Sequence, residues 1–452
     1  MSLPPVELPP ELLGEIFALC LPEKDSDRLD PKNAPMILCE VCSYWRQTAL
    51  SEPRLWDTLI FPSGQAAKRN PRITHLKYQK FITGGGVERW FGRCGPSHLL
   101  AFGEEGLDPA HPSHNSTHLP LFLSIVTKYA RRLRHISVTI TKPRHLEMFR
   151  RGFPAGIYDN LESVAIWCSL QMTRPELQAF SHFQTPFIPA PKLKHASFAL
   201  QVASPIKFVV PWMQLTSLKM ADVRKRLSPL EWQAIFKLCP NLKHGTFVKF
   251  KSLGRQDPTM EVMEHKALTS LRFVMFGPSH PDWRILYDPV RFPNLRHLQL
   301  DCQDADPRFG ISLLQKPATR KALAKLQSLA FCAPAGAYYH TIASNVERTI
   351  QQLAQHFKSL PSLTHITLPY HNFRLYDIAH LLLSRSSARG YPEPGLRASV
   401  HVVLTGGADV YYPLLENIQE LGGRFRLASL TRAPLTVNEE GWEESDEEIG
   451  WL

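Results

Sequence analysis

The chain has no long apolar run. No stretch of its 452 residues approaches the roughly 20 consecutive apolar residues that cross a bilayer as a helix. Its start, "MSLPPVELPPELLGE", carries prolines and acids where a signal peptide needs a basic start and an apolar stretch. An intracellular protein, cytoplasmic or nuclear and without membrane contact, is therefore expected. Eight cysteines (20, 39, 42, 94, 168, 239, 302, 332) are scattered along the chain and give no dense disulfide framework.

Catalytic signatures are missing as well. There is no Gly-x-Ser-x-Gly, no His-Glu-x-x-His and no paired carboxylates in a recognisable setting. "TGGG" at residues 83–86 lacks the Gly-Lys-Ser/Thr that a phosphate cradle needs. Cys39 and Cys42 form a Cys-x-x-Cys, but no second pair completes a zinc site. No cofactor and no enzymatic activity of the chain's own are expected. Zinc-finger spacing, RNA-binding aromatic motifs and lysine-rich arms are absent too, so nucleic acid is not the expected partner.

Proline and positive charge are plentiful. The 38 prolines favour many short elements with hard stops. The net charge is +11, unevenly placed. Residues 437–452, "VNEEGWEESDEEIGWL", hold seven acids and no base; the rest sets 52 bases against 34 acids, or +18. Such an acidic end reads as a solvated, disordered tail.

The first part of the chain, residues 5–61, reads as three short helices. "ELPPELLGEIFALCL" puts Leu12, Leu13, Ile16, Phe17 and Cys20 at helical spacing, on one face, with Pro9 and Pro10 at the helix start. Pro35 opens a second helix carrying Ile37, Val41, Trp45 and Thr48. "SEPRLW" starts a third, with Ser51 as its cap and Pro53 in its first turn. Three short helices cannot bury so much apolar surface alone, which points to a protein-binding face.

The order "LPPELLGEIF", "LCEVCSYWRQTAL", "PRLWDTL" resembles an F-box. The matching residues are Leu8-Pro9, Glu11-Leu12-Leu13, Ile16-Phe17, Val41-Cys42, Trp45-Arg46 and Leu55-Trp56, with a longer polar loop, Glu23 to Asn33, than the family pattern. The resemblance implies docking on a Skp-type adaptor, and through it on a cullin, in an SCF-type ubiquitin ligase. Leu8, Pro9, Leu12, Leu13, Ile16, Phe17, Val41, Cys42, Trp45, Leu55 and Trp56 are the adaptor-binding residues it implies. Trp45 and Trp56 could equally pack the three helices together.

Residues 62–129 read as a connecting, irregular region. It holds an exposed link at "GQAAKRNPR", a helix with Trp90 and Phe91, a short strand at Leu99 to Phe102, a loop at "GEEGLDPAHPSHNSTHLP" and an amphipathic helix at "LFLSIVTKYARRL".

Residues 130–405 repeat. "RLRHISV", "NLESVAI", "KLKHASF", "QLTSLKM", "NLKHGTF", "ALTSLRF", "NLRHLQL", "KLQSLAF" and "SLTHITL" share the form Leu-x-x-apolar-x-apolar, with Ala196 and Gly245 as small exceptions. The lead leucines are 133, 161, 193, 215, 242, 268, 295, 326 and 363, stepping by 28, 32, 22, 27, 26, 27, 31 and 37. That period resembles a divergent leucine-rich repeat, in which stacked units share one core. "RASVHVVLTG" reads as one last strand, followed by a C-terminal cap over 406–436. The expected fold is α/β: a small N-terminal three-helix F-box followed by a leucine-rich-repeat-like solenoid with a parallel sheet.

One column of the repeat alternates His135, Ser163, His195, Ser217, His244, Ser270, His297, Ser328 and His365. On a parallel sheet its histidines would stand on alternate strands, about 9–10 Å apart, too far for one zinc with bonds of about 2 Å. Either short polar residues simply fit this concave face, or His135, His195, His244, His297 and His365 form a pH-sensitive target-binding surface. Arg134, Lys194, Lys243 and Arg296 each precede one of these histidines and make an acidic or phosphorylated ligand conceivable. The overall expectation is a non-catalytic substrate-recognition subunit whose solenoid binds an unknown target protein. The alternative is a scaffold that binds the adaptor, or an acidic or nucleic-acid ligand, without ubiquitination.

Overall fold

The computed structural model describes residues 8–61, 79–104, 119–140, 158–168, 183–184, 190–200, 208–221, 229–248, 261–275, 290–302, 323–332, 362, 365–369 and 401–405. The expected cap at 406–436 and acidic tail at 437–452 lie outside them. So do most of the "GEEGLDPAHPSHNSTHLP" loop and all of "GQAAKRNPR". The chain divides into two compact units, one mainly of residues 1–201 and one mainly of 212–438.

The first unit opens with helix α1 (Pro10–Leu19), with Pro9 at its N-cap and Pro10 in its first turn, where no N–H is needed. The polar loop after it contains a short 3-10 turn, Asp25–Leu29, where Arg28 reaches Asp25 at 2.8 Å and Asp57 at 3.5 Å.

The expected single helix from Pro35 to Thr48 is two: α2 (Leu38–Val41) and α3 (Ser43–Ser51). The break falls at Cys42, whose backbone is extended (φ −157°, ψ 174°). Its sulfur accepts the Trp45 N–H at 3.4 Å, so Cys42 acts as an N-cap rather than a helix-interior residue. Ser51 likewise ends α3 instead of capping the next turn. The 3-10 turn Pro53–Leu55 is capped by Glu52, whose carboxylate accepts the Arg54 N–H at 3.3 Å.

Residue 61 is not a break in the packing. Strand β1 (Thr58–Phe61) runs parallel to β2 (Leu100–Glu104), so the end of the helical segment and the "connecting" region build one sheet. β3 (Leu133–Ile140), β4 (Ser163–Cys168) and β6 (His195–Leu200) extend it in parallel, while β5 (Phe183–Gln184) and β7 (Phe208–Val209) pair separately. Gly103 is required where β2 meets β3: a Cβ there would stand 2.5 Å from that of Ser137.

In the second unit β8 (Ser217–Ala221), β9 (His244–Val248), β11 (Ser270–Met275), β13 (His297–Cys302), β14 (Ser328–Cys332), β15 (His365–Pro369) and β16 (His401–Thr405) pair in chain order, all parallel. β10 (Met263–Glu264) and β12 (Val290–Arg291) form a two-stranded ribbon ahead of β11 and β13. The helix Pro229–Leu238 lies between β8 and β9 in sequence and turns Trp232 and Phe236 inward; Trp232 meets Phe247 at 4.8 Å. Both units are thus α/β and solenoid-like, with one parallel strand per repeat.

The lead leucines explain the stacking. Leu133, Leu161 and Leu193 in the first unit, and Leu215, Leu242, Leu268, Leu295 and Leu326 in the second, are fully buried; Leu363 lies outside the described residues. Where its side chains are described, the apolar pair that follows a lead leucine points the same way, as Ile136/Val138 and Leu298/Leu300 show.

A polar seam joins successive repeats beside the leucines. The side-chain amides of Asn160, Asn241 and Asn294 donate to the carbonyls of Arg131, Met213 and Lys266, at 2.8, 2.7 and 2.8 Å. Lys192 and Lys325 donate back to Asn160 and Asn294 at 2.8 and 2.7 Å. The turn carbonyls, which a strand cannot satisfy within itself, are paired this way.

Candidate functional site

The N-terminal helices carry apolar surface on two sides. α1 turns Leu13, Gly14 and Phe17 inward. Leu12, Ile16 and Leu19, at i, i+4 and i+7, form a stripe on the outer side, with Leu12 54% and Leu19 87% exposed. The expectation that Leu12, Leu13, Ile16 and Phe17 share one face is therefore corrected, because each adjacent pair straddles the boundary between buried and exposed sides. Leu8 and Pro9, just before the helix, are also exposed, and the Leu8 carbonyl accepts the Tyr44 hydroxyl at 2.6 Å, tying the start of α1 to α3. Ile37 and Val41 (56% exposed) add apolar surface at α2, beside the exposed Cys42.

The remaining residues implied by the resemblance face the chain's own interior. Trp45 is half-buried, its ring 5.0 Å from that of Phe17. Leu55 and Trp56 are fully buried. The Trp56 indole donates to the Ala49 carbonyl at 2.8 Å and meets Trp90 edge to face at 4.9 Å, with the Arg93 guanidinium 4.1 Å from its ring. Leu55 and Trp56 are thus packing residues in this structure rather than part of an exposed docking face. Sequence reasoning missed Leu19 and Ile37. Leu19 was findable, one helical turn beyond Ile16 on the same stripe.

Charges hold α1 against the 3-10 turn. Arg54 bridges Glu15 at 3.0 Å and Glu52 at 2.7 Å. The hydrogen bond from Arg54 holds the Glu52 carboxyl below its ordinary range, against a smaller opposing effect of burial. Burial pushes the Cys39 thiol up, the reverse of an activated cysteine. Among the described residues no cluster of three His, Cys, Asp or Glu could hold a metal, and no helix is long and apolar enough to cross a membrane.

The histidine column is real in register. In the first unit His135 pairs with Ser163, and Ser163 with His195. In the second, Ser217, His244, Ser270, His297, Ser328 and His365 stand directly opposite one another on successive strands. The alternation ends at β16, where His401 pairs with His365. The two units thus bring together His135 with His195, and His244 with His297 and His365. His195 and His244 are exposed; His135 and His297 are half-buried. The protein crowding around the His135 imidazole pushes its pKa down to about 4, with Asp25 opposing and Arg134 adding to the shift.

Backbone bonds fix the residues at the strand starts. The N–H groups of Lys243 and His244 both donate to the Thr216 carbonyl, at 2.8 and 3.0 Å. Those of Arg296 and His297 both donate to Thr269, at the same two distances. Each basic-histidine pair is therefore anchored on the preceding repeat.

No family model matches the chain, and no curated relative matches it. Among solved structures it is similar to a protein from Bacteroides fragilis, at 9% identity and a TM-score of 0.27, over 80% of this chain and 85% of that one. It is also similar to the complex of Rad7 and Elc1 in yeast, at 12% identity and a TM-score of 0.28, over 80% of this chain and 90% of that one. Scores this low carry no argument, so the fold rests on the chain's own strand order and the docking surface on its own exposed residues.

Proposed function

We propose that this chain is a non-catalytic substrate-recognition subunit of an SCF-type cullin–RING ubiquitin ligase. The outer side of α1 docks on a Skp-type adaptor, with Ile37, Val41 and Cys42 contributing, and the parallel-strand repeats hold a target protein. The observation that carries the reading is the exposed stripe Leu12, Ile16 and Leu19 on a helix whose other side is already buried. The F-box-like order of the same segment says what kind of protein would cover it. Apolar centres with a few large anchors are what such interfaces use. Catalysis then works by proximity: fixing a target lysine near a charged ubiquitin carrier raises its effective concentration, and the receptor needs no reacting group.

The test is a pull-down of recombinant Skp-type adaptor by the full chain and by its Leu12→Asp/Ile16→Asp variant. Both substituted side chains are exposed, so the variant keeps the circular dichroism of the parent. Capture by the parent and loss in the variant is the expected result. A folded parent that captures no adaptor sinks the ligase reading.

A further inference from the structure

The second unit carries a row of positive charge that adaptor docking does not use. Its described residues include eight bases and only four acids. The acids are Glu231 on the helix Pro229–Leu238, Glu261 and Glu264 ahead of β11, and Asp301 at the fifth position of β13. None of them occupies the first or third position of a strand in the sheet, or the residue just before it. Those positions hold Lys243 and Arg296 just before β9 and β13, His244 and His297 at the first positions, and Lys219 and Arg272 at the third positions of β8 and β11. The intervening strand start is neutral, Thr269-Ser270.

Lys243 and Arg296 are exposed and make no side-chain hydrogen bond or ion pair among the described residues. They are also held in place. The backbone bonds to Thr216 and Thr269 set both strand starts, and the direct register His244–Ser270–His297 puts the two basic-histidine pairs two strands apart. Parallel strands lie about 4.8 Å apart, so the pairs repeat at roughly 9.6 Å. A polyproline II segment has three residues per turn and rises about 3.1 Å per residue, so every third residue returns to the same side at roughly 9.3 Å. A peptide crossing these strand starts would meet one basic-histidine pair at every third residue.

We infer that the strand starts of the second unit form a binding rail for an acidic segment of a partner protein in polyproline II conformation, with carboxylates at every third residue facing Lys243/His244 and Arg296/His297. The inference deepens the reading of the repeats as the target-holding part and rests on it. Charge-assisted hydrogen bonds from lysine and arginine supply attraction, and the two-strand spacing supplies selectivity over acids that are merely numerous.

Fluorescence polarisation on the full chain without adaptor tests this, using two synthetic peptides of about twelve residues and equal composition. One carries aspartate at every third position among serine and alanine; the other carries its aspartates in one block. The spaced peptide is expected to bind at least about tenfold tighter, to weaken with added salt, and to lose at least about tenfold on the Lys243→Glu/Arg296→Glu variant. Equal affinity for the two peptides, or no effect of the variant, overturns the inference. A Glu440→Gln/Glu443→Gln/Asp446→Asn chain is the further arm. If the spaced peptide binds only when those carboxylates are removed, the rail is the seat of the chain's own acidic segment and the partner assignment is overturned. The Lys243→Glu/Arg296→Glu variant is also run in the adaptor pull-down. It should capture adaptor like the parent, so failure of the rail and failure of the ligase reading are separate results.

Discussion

The indole of Trp56 meets that of Trp90 edge to face at 4.9 Å, and each ring nitrogen is satisfied by a backbone carbonyl, Ala49 for Trp56 and Thr58 for Trp90. This pair fastens the N-terminal helices to the first strands of the sheet. The helical segment is therefore part of the first unit's core rather than a bead on a string.

Trp56→Ala should accordingly cost about 3–5 kcal/mol, the range for emptying a large buried aromatic site. Denaturant unfolding followed by circular dichroism reads this directly. Any loss of adaptor binding in this variant should track unfolding. Leu12→Asp/Ile16→Asp should instead lose binding at unchanged stability.

The asparagine seam makes a second prediction. Asn241→Ala removes the 2.7 Å partner of the exposed Met213 carbonyl, which water then takes up, and should cost about 0.5–1 kcal/mol. Asn241→Asp should not rescue it, because a carboxylate cannot donate. The same measurement on Asn294→Ala, which serves Lys266, should give a similar loss if the seam is a true repeat feature.

Two histidines give the stability a pH dependence. His265 is buried, its Nε2–H donating to the Cys239 carbonyl at 2.9 Å and its ring 5.2 Å from that of Phe236. Its Nδ1 has no hydrogen-bond partner among the described residues. Burial holds its pKa below the ordinary histidine value, and that of His135 falls to about 4. A lowered folded pKa means the unfolded chain binds protons first as pH falls. Stability is then fully present above about pH 6.5 and declines below it, for His135 down to about pH 4. Urea unfolding at a series of pH values should show this decline, and His265→Gln should flatten it.

The repeat core was legible in the sequence because its signal recurs. One Leu-x-x-apolar-x-apolar segment means little, but nine at similar spacing locate Leu133 through Leu326, and within each unit the runs His135–His195 and Ser217–His365 fall into register with them. The asparagine seam was visible too, as Asn160, Asn241 and Asn294 just ahead of a lead leucine, but only the fold shows where the amides reach. The N-terminal segment was harder. Aromatic residues there could serve inner packing or outer docking, and spacing alone does not separate Leu12 from Leu13 or expose Trp56 as core. The helix break at Cys42 follows from a thiol competing for the Trp45 N–H, a local bond with no periodic signature.

The most direct measurement is hydrogen–deuterium exchange of the full chain with and without a Skp-type adaptor. The account predicts new protection confined to residues 8–20 and 37–45, where Leu12, Ile16, Leu19 and Val41 are exposed in the free chain, with the strands of the second unit unchanged. Binding with protection along β9 to β13 and none at α1 would contradict it.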